Sequence, residues 1–204
     1  MNTRLQVEHP VTEQVLGIDL VRAQLAVAAG QPLPFRAERL HQRGHAIELR
    51  VYAEDPAQAF LPQAGPLLLY REPRGPGIRV DSGVIEGGEV SVHYDPLIAK
   101  LIVTAETRTA ALARADRALA EFAILGIITN VPVLRALVRH PDVQAGRLDT
   151  SLVDRVLPSL VTAHDLPQPV AVVAAQYASA TNARAVTDRA PVADAWADLG
   201  GWRG

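Results

Sequence analysis

Two segments of this chain suit β-strands better than anything else, and they restrict what the rest can become. Ala46 to Ala53 alternates cleanly: Ile47, Leu49 and Val51 face one way, and Glu48, Arg50 and Tyr52 face the other. A period of two with one apolar set marks a half-buried strand. Leu97 to Ala105 is an apolar run interrupted only by Lys100, and reads as a strand for much of its length. Between them, residues 54–94 read as short strands separated by Gly- and Pro-rich turns, such as Arg74-Gly75-Pro76-Gly77 and Glu86-Gly87-Gly88.

Helical patterns flank this stretch. Asp19 can cap a helix over Leu20 to Ala29, with Val21, Leu25 and Ala28 on one face; Gly30, Pro32 and Pro34 stop it. Thr109 can cap a second, with Leu112, Ala115, Leu119 and Phe122 on one face, in a region that Gly126 ends. Asn130 can cap a third through Arg139, stopped by His140-Pro141, and Ser151 to Leu157 suits a short further helix. Beyond Leu157 the chain is broken by Pro158, Pro167 and Pro169 and is rich in Ala, Val and Asp. A boundary therefore falls near residue 160, with a linker or the opening of another domain after it.

Hydrophobic residues make up 49% of the 204 residues, enough for a sizeable core. A net charge of -2 argues against a nucleic-acid footprint. The absence of cysteine removes a disulfide framework or thiolate metal site and fits a reducing, cytoplasmic setting. No apolar run approaches the length of about 18 residues that a membrane span needs.

The first eight residues carry a polar set at every second position: Asn2, Arg4, Gln6 and Glu8, with Thr3, Leu5 and Val7 between. Extended, they would share one face, with neighbours about 6.5 to 7 Å apart. Arginine presents a planar fork of donors that matches bicarbonate or carboxylate. Gln6 and backbone N–H groups can complete an anion cradle, Glu8 can serve as a general base, and Asn2 offers a hard oxygen to Mg²⁺. Alternation alone equally describes an exposed edge strand with an ordinary polar face. Likewise Arg50, taken alone, reads as a solvated arginine or one paired with Glu48.

The literal string decides between these. Met1-Asn2-Thr3-Arg4-Leu5-Gln6-Val7-Glu8-His9-Pro10-Val11-Thr12-Glu13 closely resembles the end of the ATP-grasp domain of biotin carboxylases. His45-Ala46-Ile47-Glu48-Leu49-Arg50-Val51-Tyr52-Ala53-Glu54-Asp55-Pro56, Phe60-Leu61-Pro62, Tyr94-Asp95-Pro96-Leu97-Ile98-Ala99-Lys100-Leu101 and Gly126-Ile127-Ile128-Thr129-Asn130 resemble further family signatures in order. The resemblance covers residues 1 to about 157. Its Met-Asn-Thr-Arg form is that of acyl-CoA carboxylases of the acetyl-, propionyl- or methylcrotonyl type, and the tail around Trp196 and Trp202 is similar to the region that follows in their alpha subunits.

The resemblance implies an α+β fold: the end of an ATP-grasp domain over residues 1–40, then the biotin carboxylase C-terminal domain over 41–160, mostly antiparallel strands with packed helices, and a linker or new domain over 161–204. It implies ATP- and bicarbonate-dependent carboxylation of biotin on a carrier domain, with ATP, Mg²⁺ (or Mn²⁺) and biotin as cofactors. A carrier domain, a carboxyltransferase subunit and a second copy in a homodimer are the implied partners. By the same resemblance Asn2 is a metal ligand, and Arg4, Gln6 and the Val7 backbone cradle bicarbonate. Glu8 is the base that deprotonates it, and Arg50 holds biotin and steadies its enolate oxygen. Asp95 and Lys100 match family positions but read as structural. Arg79 is either a subunit contact or an ordinary exposed arginine, and His9 is a turn residue.

Much of the family's nucleotide site has no counterpart here. Its ATP-holding lysines cannot be present in a chain whose sole lysine is Lys100, and the glycines around Gly77 and Gly87 do not form a phosphate loop. Met1 thus reads as an internal methionine of a longer reading frame. The expectation is that the chain alone is inactive and that residues 1 to about 40, deprived of partners, are poorly ordered. Two other readings remain: another ATP-grasp ligase such as a pyruvate carboxylase, disfavoured by Met-Asn-Thr-Arg, and a non-catalytic scaffold for dimerisation or docking.

Overall fold

The computed structural model describes residues 3–161. Asn2, expected as a metal ligand, lies outside the described residues, as does the tail expected from residue 161 onward apart from Val161 itself. The helices are α1 (His9–Leu16), α2 (Leu20–Ala28), α3 (Arg108–Glu121), α4 (Val131–Arg139), α5 (Pro141–Gln144) and α6 (Leu152–Leu160). The strands are β1 (His45–Tyr52), β2 (Glu54–Asp55), β3 (Leu61–Pro62), β4 (Gly65–Pro66), β5 (Leu69–Arg71), β6 (Ile78–Ser82), β7 (Glu89–Val90), β8 (Leu97–Ala105) and β9 (Ala123–Leu125). This is the α+β arrangement of antiparallel strands and helices that the resemblance implied.

β1, β8 and β6 form an antiparallel sheet in that order. β8 takes the centre because its apolar run tolerates cover on both faces: Ile98, Ala99, Leu101, Ile102 and Val103 are all buried. The register sorts side chains by chemistry. Leu49 lies opposite Leu101, which lies opposite Val80, and Ile47 opposite Val103, which lies opposite Ile78. This face packs on Leu112, Ala115, Ala118 and Leu119 of α3 and Val138 of α4. The other face carries Glu48 and Arg50 on β1, Lys100 on β8, and Arg79 and Asp81 on β6. α1 lies against this second face with Pro10 fully buried.

The amino-terminal segment is not the strand its alternation suggested. Residues 3–8 belong to no strand, and α1 opens at His9 with Pro10 in its first turn. Proline's fixed φ suits that position, and Gly17 closes the helix in the left-handed conformation at φ 68°. The expected turn at His9-Pro10 is therefore a helix start. Nor do residues 9–28 lack partners: the Arg43 N–H bonds the Val15 carbonyl, and the Leu20 N–H bonds Glu13 Oε1 at 2.9 Å.

Asp19 caps α2 as expected, accepting from the Arg22 N–H at 2.8 Å. The anticipated apolar face is not a buried one, since Val21 and Leu25 are exposed and only Ala23 is buried. The cap of α3 is Thr107, not Thr109, with its hydroxyl accepting from the Ala110 N–H. The helical face expected there is correct, with Leu112, Ala115, Leu119 and Phe122 all buried. β9 went unread, and α6 runs on past Pro158.

Asn130 also differs from expectation. It occupies the N-cap of α4, but its side chain makes no cap bond. Instead Oδ1 accepts from the Tyr52 N–H at 2.9 Å and Nδ2 donates to the Arg50 carbonyl at 3.0 Å. Its own N–H adds a bond to the Tyr52 carbonyl at 3.1 Å. A buried amide thus acts as a strand partner where β1 ends. Asn130→Ala strips two part-buried backbone groups of their partners and is expected to cost about 2 kcal/mol. Urea unfolding checks this, and a change under about 0.5 kcal/mol would show the bridge to be dispensable.

Candidate functional site

The polar face of the sheet gathers its charges because period-two alternation on three neighbouring strands aligns them. Arg50 lies directly opposite Lys100, which lies directly opposite Asp81. Arg79 grips Asp81 with Nε and one terminal nitrogen at 2.6 and 2.8 Å, a two-pronged pairing. Its other terminal nitrogen reaches Glu13 of α1 at 3.4 Å. Burial pushes the Asp81 carboxyl up, but the Arg79 bonds and the Lys100 charge outweigh it and leave the group below the usual aspartate value. The Arg79 guanidinium is raised, chiefly by its bonds to Asp81.

The amino-terminal segment meets this face at two points. Lys100 Nζ donates to the Val7 carbonyl at 3.2 Å and stands 3.5 Å from Asp81 Oδ2. Glu8, the residue preceding α1, makes no side-chain cap bond, so its carboxylate is available elsewhere. It accepts from an Arg50 terminal nitrogen at 2.9 Å, across 42 sequence positions. The positive end of α1 also favours a negative charge at that position. The Glu8 and Arg50 side chains remain 56% and 41% exposed, so the pair is open to a ligand.

The rest of the expected cradle is not gathered. Arg4 is exposed and donates to the neighbouring Leu5 carbonyl at 3.1 Å, and the Gln6 amide reaches the Arg4 carbonyl at 3.5 Å. The physical reason is the one found in the fold: without a strand to hold them, alternate positions do not share a face. Val7 contributes its carbonyl, to Lys100. Asp95 is a turn residue as read, accepting from the Leu97 N–H at 2.8 Å. His9 folds back on the Gln6 carbonyl at 2.8 Å. Among the described residues no group of three or more His, Asp or Glu side chains converges to hold a metal ion.

Sequence reasoning undervalued three members of this cluster: Lys100, Glu13 and Glu48. Lys100 carried a signal, as the chain's sole lysine, set inside a strand whose other residues except Thr104 are apolar. Glu48 carried one too, since its parity matches Arg50. Its side chain is 4% exposed and its oxygens find no hydrogen-bond partner among the described residues. Burial raises its carboxyl above the usual value, against the pull of Lys100 and Arg50.

Known proteins share this fold and much of this sequence. Residues 48–155 match the biotin carboxylase C-terminal domain, and residues 1–36 match the ATP-binding domain of the carbamoyl-phosphate synthase L chain. The chain belongs to the biotin carboxylase family. It is 50% identical over 153 residues to the biotin carboxylase of Halalkalibacterium halodurans, a match covering 75% of this chain and 34% of that protein. It is 46% identical over 165 residues to the mitochondrial methylcrotonoyl-CoA carboxylase subunit alpha of Mus musculus, covering 80% of this chain and 23% of that one. A solved relative is the biotin carboxylase domain dimer of Hydrogenobacter thermophilus 2-oxoglutarate carboxylase, in complex with MgADP, ADP and bicarbonate. It superposes with a TM-score of 0.77 at 38% identity, over 80% of this chain and 36% of that one. The chain thus spans about a third or less of the relatives it matches. None of the described helices is long and apolar enough to cross a membrane.

Proposed function

We propose that this chain is the bicarbonate- and biotin-handling part of a biotin carboxylase. In this reading it serves an ATP-dependent ligase that carboxylates biotin on a carrier domain within an acyl-CoA carboxylase. The observation that carries the reading is the meeting of Glu8 and Arg50 at 2.9 Å, a solvent-open acid–base pair drawn from distant parts of the chain.

Glu8 is the base. Bicarbonate bound beside it gives its proton to a Glu8 oxygen, leaving a stronger nucleophile. As the anion binds, Arg4 and Gln6 leave their bonds to near neighbours and close around it with the Val7 backbone, Arg4 supplying the guanidinium fork that matches a planar oxyanion. Arg50 faces the acceptor. Arg50 would hold biotin at its ureido oxygen, where a fixed guanidinium would stabilise the negative charge that carboxylation at N1 brings there. ATP supplies the phosphoryl group that activates bicarbonate, and Asn2 is the position in this chain for a divalent ion. No converging acidic cluster for that ion exists among the described residues.

The partners in this reading are a carrier domain, a carboxyltransferase subunit and a second carboxylase copy. The absence of cysteine is in keeping with work in the cytoplasm. A chimaera tests the whole: the matched third of the Halalkalibacterium halodurans biotin carboxylase is replaced by this chain. We expect bicarbonate-dependent ATP cleavage and carboxylation of free biotin. A chimaera that folds and binds ATP yet does neither would overturn the reading.

A further inference from the structure

Glu48 has no part in the reaction just described, yet it sits beside it. Its buried carboxylate lacks a hydrogen bond among the described residues. An ion left so costs several kcal/mol unless nearby cations offset the loss of water. The charged and titratable groups around it are Arg50 from β1, Lys100 from β8, and Glu8 and His9 at the start of α1. The nearest cationic atom is Arg50 Nε, 3.8 Å from Glu48 Oε1, while an Arg50 terminal nitrogen donates to Glu8 Oε2 at 2.9 Å. One guanidinium therefore stands between two carboxylates, bonded to the exposed one and just short of the buried one.

We propose that Glu48 is a positioning residue, the second carboxylate onto which the Arg50 guanidinium turns when Glu8 loses its negative charge. This deepens the reading of Glu8 as base and Arg50 as biotin-facing, and rests on it. The exchange involves hydrogen bonds only. A proton arriving on Glu8 weakens its hold on Arg50, because the carboxyl loses its negative charge and with it the Coulomb attraction to the guanidinium. Glu48 then becomes the strongest acceptor within reach, and a small side-chain rotation closes the 3.8 Å gap. With its Nε edge docked on Glu48, Arg50 presents its terminal N–H groups to the ureido oxygen. The electrostatics support the order of events: the Glu8 charge is one of the influences that raise the Glu48 carboxyl, so neutralising Glu8 favours ionised Glu48.

The test uses the whole 204-residue chain and nuclear magnetic resonance of the Arg50 side chain. In Glu8→Gln, which imitates protonated Glu8, the Arg50 Nε–H signal should move downfield. Its exchange with water should slow by about threefold or more, as expected of an N–H that gains a charged partner. In the double variant Glu8→Gln with Glu48→Gln both changes should vanish, and Glu48→Asp should restore part of them. Unchanged Arg50 behaviour in Glu8→Gln, or the same change in the double variant, overturns the proposal. Should Glu48→Gln fail to fold, Glu8→Gln combined with Glu48→Asp decides: the shorter carboxylate should return only part of the Arg50 Nε–H shift, and the full Glu8→Gln shift in that variant overturns the proposal. A working chimaera without this response sinks the Glu48 role alone. The response alongside an inactive chimaera sinks the assigned activity and leaves the exchange standing.

Discussion

Arg50→Ala in the chimaeric carboxylase is expected to slow biotin carboxylation by about 10²–10³-fold, the usual effect of removing a donor aimed at developing negative charge. The loss should fall on the biotin-dependent step. ATP cleavage driven by bicarbonate without biotin should suffer less, because in the proposed reading Arg50 serves the acceptor and Glu8 the anion. Glu8→Gln should depress both. Urea unfolding of the variants separates chemistry from folding: the open Glu8–Arg50 pair, 56% and 41% exposed, contributes only about 0–1 kcal/mol, whereas Arg50 also stands 3.8 Å from the buried Glu48 carboxyl. Arg50→Lys keeps the charge but not the planar fork, and should recover only a small part of the rate. An Arg50→Ala chimaera within about threefold of the parent would remove Arg50 from the chemistry.

The parts of this site that were legible from sequence share one physical basis. Period-two alternation fixes facing within a strand, so the apolar and polar faces of β1 could be read from Ala46 to Ala53, and Arg50 was placed on the correct side. The helical face of α3 was readable for the same reason, since Leu112, Ala115 and Leu119 lie one turn or two apart. What failed was alternation without a strand. Asn2 to Glu8 has the right spelling, but spacing specifies a shared face only when neighbouring strands hold the backbone extended. Pro10 starts a helix there instead, and leaves Arg4 and Gln6 with partners one or two residues away.

Long-range contacts were beyond local pattern altogether. Nothing around Asn130 announces that its amide spans β1 from 78 and 80 positions away. Nothing around Lys100 announces the Val7 carbonyl, 93 positions off. The face of α2 misled in the other direction. Val21 and Leu25 have the spacing of a buried stripe, but a stripe is buried only where something in the chain covers it. The resemblance to a family carried the assignment of roles, whereas local physics carried the strands and helices.

Gly126→Ala tests the largest single steric demand in the fold. Gly126 follows β9 at φ 111°, and a Cβ there would lie 2.1 Å from the Pro66 carbonyl oxygen and 3.0 Å from the Leu68 nitrogen. Both obstacles are backbone and cannot swing aside. Pro66 is paired with Glu89 in the β4–β7 ladder, and Leu67 between them is fully buried. The Leu68 N–H is engaged by the Leu125 carbonyl at 2.8 Å. Strain at such a φ costs about 1–3 kcal/mol alone, and displacing two paired backbones adds to it, so we expect a loss of at least about 3 kcal/mol. Gly87→Ala isolates the clash. Its φ is 78° but nothing lies within 4 Å of the added Cβ, so only the strain applies and about 1 kcal/mol should be lost. Urea midpoints of the two variants measure the difference directly. Equal midpoints would mean that the close approach of β9 to the β4–β5 turn is not the tight junction described.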